Sequence, residues 1–307
     1  MMKRKAISFG EALLDTYPLE HKASVGGAPL NVAITLAQDG IESYLLTCLG
    51  TDTNSDKVKE TLLKNGVKTN LLQVDSKRKL AYTEVAVDEH GDRSFTFFKD
   101  AASFLGIQYQ DSWKDEFKEL SLFHMGTVCL LDDTIINTQL KACKLAVSNE
   151  AMISLDPNFR AQLFKSEAQV RNSLTLLPYV DILKLSEEEI GFFKMSTAEF
   201  FMRFKKLKAI FLSQGDKGIT LYLADGREIK QEAIKPRKIV DTVGCGDISF
   251  ATFLAVILLN NISLNDTASL KTALLYSAAA GSLECERESA LPVPTLVDIK
   301  DRLKQLN

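Results

Sequence analysis

The 307-residue sequence predicts an α/β fold on a mainly parallel sheet, with a second, small sheet beside it. Three observations carry this expectation. Short apolar runs ending in glycine or polar residues alternate with stretches of helical apolar spacing along most of the chain. One segment, Leu80 to Lys99, instead alternates apolar and polar residues around a glycine-containing turn, as a hairpin with one wet face should. With 46% hydrophobic and 25% charged residues, the composition is that of a globular chain with a sizeable core.

Taken in order, "KAISFG" reads as a buried strand, and the β-like piece "LLDTYPLEHKASV" follows it. "APLNVAITLAQDG" has helical spacing with a stop at Gly40. "SYLLTCLG" is strand-like, and "SDKVKETLLKNG" is an amphipathic helix with another glycine stop. After the hairpin, "LSLFHMG", "MISLDPN", "DILKLS" and "AIFLSQG" are apolar runs separated by helical stretches. Ligands of a parallel α/β sheet sit at the carboxyl ends of its strands. "FGEALLD", "FHMG", "LDPNFR", "KLSEEE" and "LSQGDKG" all fall there. No long linker, repeat or low-complexity tract interrupts the chain.

Several functions are disfavoured. The formal net charge is -3, with Lys and Arg scattered, so no basic field points to nucleic acid or an anionic membrane. The densest cluster, "RFKKLK", reads as a solvated helix face. The five cysteines are far apart in sequence and lack a CxxC pair, which favours reduced thiols over a disulfide framework or a zinc site. The first residues lack an apolar core of signal-peptide length, and "ATFLAVILL" is too short to span a bilayer. The sequons at Asn261 and Asn265 then read as chance matches, and the expected compartment is the cytoplasm. No GxxxxGK[ST] or GxGxxG turn occurs. "DTNSD" at Asp52 imitates a calcium loop, but Lys57 and Leu63 stand at its glycine and final glutamate positions. His21, His90 and His124 are isolated, with His124 expected in a pocket wall.

The most informative stretch is "IVDTVGCGDISFATFLAVILL", Ile239 to Leu259. Two glycines and an aspartate directly precede the most apolar segment. At the start of a helix, the amides of Gly244, Cys245 and Gly246 would form an anion site, and the glycines let a phosphate approach closely. Asp247 on the first turn can accept a proton from a hydroxyl lying against that phosphate. The same spacing also describes a plain strand-to-helix turn in which Asp247 merely starts the helix.

"DTVGCGDISF" resembles the second signature of the ribokinase-like (PfkB) sugar kinases, written DTxGAGDxF. "GGAPLNVA" (Gly26 to Ala33) resembles their N-terminal sugar-binding motif, and Gly10-Glu11 with Asp15 matches their opening. "LDPNFR" is most similar to the DPNxR pattern of the fructokinase branch. The resemblance covers essentially the whole chain, with four motifs in the family's order. It implies a ribokinase-like three-layer αβα sandwich with a mainly parallel central sheet and a small β-sheet lid. That is one domain over residues 1–307, with lid segments near 13–25 and 80–99.

The resemblance also implies site residues. Asp15, Gly27 and Asn31 would hold sugar hydroxyls. Ser103 lies where many fructokinases carry an aspartate, and Arg160 would touch the sugar or the transferred phosphate. Asp247 would be the base, with Gly244, Cys245 and Gly246 as anion hole. "KLSEEE" matches the NxxE element, with Ser186 in place of asparagine and Glu189 ordering water around Mg²⁺ on ATP. Ser213, Gly215 and Gly218 in "SQGDKG" resemble the adenine-side turn, and Ala278 stands where asparagine is usual near the nucleotide. Val243 and Cys245 replace the commoner Thr and Ala. "RESALP", with Ser289, loses the Arg-Gly-Ala turn near which the family often holds K⁺, so monovalent-ion activation stays open. The Cys245 thiol is either a helix-start thiolate in a cleft, opposed by Asp247, or packed and inert.

The implied activity is ATP-dependent phosphorylation of a hexose, fructose to fructose 6-phosphate, with sugar and ATP as the partners and a homodimer left open. The alternatives are a kinase for ribose, tagatose or 2-keto-3-deoxygluconate, and a silent kinase-like protein that binds sugar or nucleotide.

Overall fold

A computed structural model describes residues 4–17, 22–87, 93–98, 102–131, 133–159 and 167–306. The strands in chain order are β1 (Lys5–Phe9), β2 (Leu13–Tyr17), β3 (Lys22–Gly26), β4 (Glu42–Leu49), β5 (Leu72–Val74), β6 (Ala81–Val87) and β7 (Arg93–Phe98). They continue with β8 (Leu122–Gly126), β9 (Met152–Asp156), β10 (Ile182–Ser186), β11 (Ala209–Ser213), β12 (Ile219–Leu223) and β13 (Glu228–Gln231). The helices are α1 (Ala28–Gln38), α2 (Thr53–Lys64), α3 (Trp113–Glu116), α4 (Asp133–Ser148) and α5 (Glu167–Leu176). After these come α6 (Glu187–Phe193), α7 (Thr197–Arg203), α8 (Cys245–Leu259), α9 (Thr267–Glu284) and α10 (Leu296–Lys304).

Nine strands form one sheet in the order β13-β12-β11-β10-β9-β8-β1-β4-β5. It is parallel from β11 to β5, while β12 and β13 are antiparallel. From β1 the chain builds outward on one side through β4 and β5, then returns to add β8 on the other. That reversal makes the crevice at the carboxyl ends of β1 and β8 the expected ligand position. The second sheet, β3-β2-β6-β7, joins the two segments read as a separate small sheet. The turn between β6 and β7 lies outside the described residues.

Strand alternation divides the core into two faces. Ile7, Phe9, Phe123, Leu155, Leu183 and Leu185 pack with buried residues of α4 and α7. Ala6, Leu122, Ile182 and Phe211 pack with α8 and α9 on the other face. Helix α8 is buried from Asp247 to Leu258. A helix apolar all round needs neighbours on every side, and here the sheet, α1 and α9 supply them. Among the described residues, no helix is long and apolar enough to cross a membrane.

Asp52 accepts hydrogen bonds from the amides of Asn54 and Ser55 and caps α2, so "DTNSD" is a helix start. His124 is corrected from pocket wall to core. It is fully buried, its Nδ1 lies 3.0 Å from Ser154 Oγ, and its ring packs on Phe250. Burial pushes its pKa down to about 3, so the ring stays neutral and structural. His21 and His90 lie outside the described residues.

Candidate active site

The site begins where β1 ends. Glu11 is buried, and its Oε1 accepts from the amide of Ala28 at 3.2 Å, fixing the first residue of α1. Burial, reinforced by the charges of Asp247 and Asp156, pushes the Glu11 carboxyl up to about 7. Gly27 precedes α1 with φ at 119°, and a Cβ there would lie 2.7 Å from the Glu11 carbonyl oxygen. Only glycine fits that approach. A Cβ on Gly26 would likewise meet Asp15 Oδ2 at 2.4 Å. Asp15, on β2 of the small sheet, accepts a short hydrogen bond from Thr83 Oγ1 on β6.

One turn into α1, Asn31 Nδ2 donates to Asp247 Oδ2 at 2.9 Å across 216 residues of sequence. Asn31 is 3% and Asp247 8% exposed, and Asn31 Oδ1 is buried with no hydrogen-bond partner. An unpaired buried acceptor is costly unless a ligand donates to it. Gly244, the residue before α8, has φ at 78°, and its Cα faces Ala290 and Asn31. The Cys245 amide leans on the Thr242 carbonyl at 3.4 Å. The Gly244, Gly246 and Asp247 amides have no backbone acceptor among the described residues, as expected at a helix start. Of the expected trio Gly244, Cys245 and Gly246, the Cys245 amide is thus the one already engaged. The structure therefore brings Asp15, Gly27, Asn31, Gly244, Gly246 and Asp247 together.

The neighbouring strand ends carry the remaining predicted residues. Ser186 and Ser213 face each other in register at the ends of β10 and β11. Ser186 caps α6, and its Oγ accepts from the Glu189 amide. Glu189 is 4% exposed, with Oε1 accepting from the Phe159 amide and Oε2 from the Ser186 amide, both at 2.7 Å. Its oxygens are thus fixed by backbone, which leaves spare lone pairs suited to a hydrated ion. No group of three or more acidic, His or Cys side chains among the described residues is arranged to cage a bare metal. Gly218 is required by packing, since a Cβ there would sit 2.1 Å from the Gln231 carbonyl oxygen. Gly215, with φ at 58°, borders open space. Ala278 is buried in α9.

Ser103 is fully buried, with no partner for its hydroxyl, and presents no surface to the site. Arg160 lies outside the described residues. A cavity of about 1170 Å³ opens at the amino ends of the strands, lined by Ser121, Met152, Ile182 and Arg227 among others. None of the predicted site residues lines it.

The exposed-thiolate reading of Cys245 is corrected. Cysteines 245 and 285 are distant in sequence, yet their free thiols lie 3.0 Å apart because α9 ends beside the start of α8. The bond with Cys285, with burial adding, raises the Cys245 pKa, whereas the same bond lowers that of Cys285. Cys285 is thus the more readily ionised thiol of the two. Iodoacetamide should therefore modify Cys285 before Cys245, as read by mass-spectrometric mapping of the native protein. Earlier modification of Cys245 would contradict this order.

Sequence reasoning missed Glu11, Thr83, Cys285 and Lys184 as site neighbours. Two of them carried a visible signal: Glu11 stood in the matched Gly-Glu opening, and Lys184 is a charge inside an apolar parallel strand.

The same fold occurs in the crystal structure of fructokinase with bound ATP from Xylella fastidiosa, with a TM-score of 0.88, 24% identity and 99% of both chains covered. It also occurs in fructokinase from Vibrio cholerae O395 in its fructose, ADP and calcium ion bound form, with a TM-score of 0.84, 22% identity and coverage of 98% and 99%. The class defined is the ribokinase fold. The chain belongs to the pfkB family of carbohydrate kinases, whose model matches residues 5–296. Probable fructokinase-5 of Arabidopsis thaliana is 28% identical over 316 residues, covering 97% of each chain.

Proposed function

We propose that the protein transfers the γ-phosphate of ATP to the primary hydroxyl of fructose, giving fructose 6-phosphate and ADP. The observation that carries this is the Asn31–Asp247 hydrogen bond, which joins the sugar-motif helix to the acid beside the unpaired amides of α8. A sugar held by Asp15, Gly27 and the free Oδ1 of Asn31 presents its hydroxyl to Asp247. Asn31 occupies Oδ2, so Oδ1 of Asp247 takes the proton as the sugar oxygen bonds to phosphorus. The bond from phosphorus to the bridging oxygen of ADP breaks in the same transfer. The amides of Gly244, Gly246 and Asp247, at the positive end of α8, stabilise charge on the transferring group, and Arg160 is assigned to the same task. Magnesium would neutralise nucleotide phosphate charge when bound, and Glu189 would hold it through water, consistent with its backbone-fixed oxygens. Ser186, Ser213, Gly215 and Gly218 border the nucleotide side, and the small sheet acts as a lid that excludes water.

The naming of similar proteins as fructokinases supports fructose over other sugars. In an ADP-release assay, fructose should give the highest kcat/KM in a panel with ribose, tagatose, adenosine and 2-keto-3-deoxygluconate. A different member better by about tenfold, or ~1.4 kcal/mol of transition-state binding, would overturn the fructose assignment. Absence of turnover with every member would point to a silent binding protein.

A further inference from the structure

Lys184 is the only lysine buried among the described residues. It sits in the strand ILKLS, and alternation turns Ile182, Lys184 and Ser186 toward α8 while Leu183 and Leu185 face the opposite core. Its Nζ lies 2.8 Å from Asp156 Oδ2 and reaches the first turn of α8. A Cβ on Gly246 would be 3.6 Å from that nitrogen, so the missing side chain of Gly246 leaves the ammonium next to the unpaired amides.

Stability alone is a weak reason for such a pair, because apolar replacements of a buried ion pair are often neutral or stabilising. The charge inventory suggests another reason. Glu11, Asp156, Glu189 and Asp247 are all buried around this point, and Lys184 is the described cation among them. Burial by itself would lower the Lys184 pKa, but the charges of Asp156, Glu189 and Asp247 outweigh it and hold the amine protonated. A phosphoryl group entering beside four carboxylates needs a compensating positive charge. An ammonium has three N–H donors, and Asp156 engages one side of it.

We propose that Lys184 is a catalytic residue whose Nζ donates to a non-bridging oxygen of the phosphoryl group seated on the amides of Gly246 and Asp247. This rests on the kinase reading above. Lys184→Met alone would strand the buried carboxylate of Asp156 and destabilise the fold, so the test uses Lys184→Met combined with Asp156→Asn, measured against Asp156→Asn alone. Thermal unfolding checks that the combined variant is folded, and calorimetry reads affinity for ADP and for a non-hydrolysable ATP analogue.

Loss of a charge-assisted bond to the terminal phosphoryl group should weaken the analogue by about tenfold or more while ADP changes by less than about twofold. Turnover should fall further in the combined variant than in Asp156→Asn, with the sugar KM little changed. Equal analogue-to-ADP affinity ratios in the two proteins would reduce Lys184 to a counter-ion of Asp156 and overturn the proposal. The readout is independent of sugar identity. A wild-type protein that phosphorylates no sugar would sink the kinase reading while the affinity ratio still decides the place of Lys184.

Discussion

Asp247→Asn should lower turnover by at least about a hundredfold, the scale of general-base catalysis, while leaving fold and nucleotide affinity intact. The substitution keeps the side-chain volume, and the amide oxygen of asparagine can still accept from Asn31 Nδ2, so the bond between α1 and α8 survives. What disappears is the anionic oxygen that takes the hydroxyl proton. Because Asp247 is 8% exposed at the end of the crevice, bulk water is poorly placed to replace it. Steady-state kinetics with an unchanged melting temperature would show the chemical loss in isolation. Near-normal turnover in this variant would remove Asp247 from the mechanism.

The second large effect is expected from Gly244→Ala. With φ at 78°, a side chain at this position costs about 1–2 kcal/mol in backbone strain. A Cβ would also sit 2.7 Å from the Cβ of Ala290, so one of the two backbones must move. The start of α8 is the movable part, and moving it turns the Gly246 and Asp247 amides away from their common focus. Turnover should fall about tenfold to a hundredfold, in line with loss of an oxyanion donor, and the melting temperature should drop by a few degrees. Gly246→Ala is the control. Its Cβ would be in ordinary contact at 3.6 Å from Lys184 Nζ, so it should fold normally. A Gly244→Ala protein with wild-type stability and turnover would show that the anion hole does not depend on this turn.

Much of the molecule was legible in the sequence because the signals are local. The alternation of apolar runs and helical spacing located the strands and helices, and "GCGD" before an apolar run located the start of α8. The antiparallel pairing of β6 with β7, and of β2 with β3, follows from the period-2 pattern of those segments. Other features carry no local mark. The spacing in "KLSEEE" points to Glu189, but nothing local foretells that the Phe159 amide fixes its carboxylate in the site. Ser103 lies in a segment read as bordering the lid, yet packing closes over it.

The sequence by itself determined the α/β class, the small second sheet, the family and the position of the glycine-flanked acid, since each depends on periodicity, turn chemistry or a contiguous motif. Tertiary structure alone decided which of those pieces meet. Asn31 reaches Asp247 only because α1 packs against α8, and Cys285 reaches Cys245 only because α9 ends beside that helix's first turn. Lys184 faces the anion site instead of the opposite core through the parity of a single strand. The physical reason is range. Backbone preferences are written over a few residues, whereas these contacts span 40 to 216 residues and are set by helices closing over one face of a sheet.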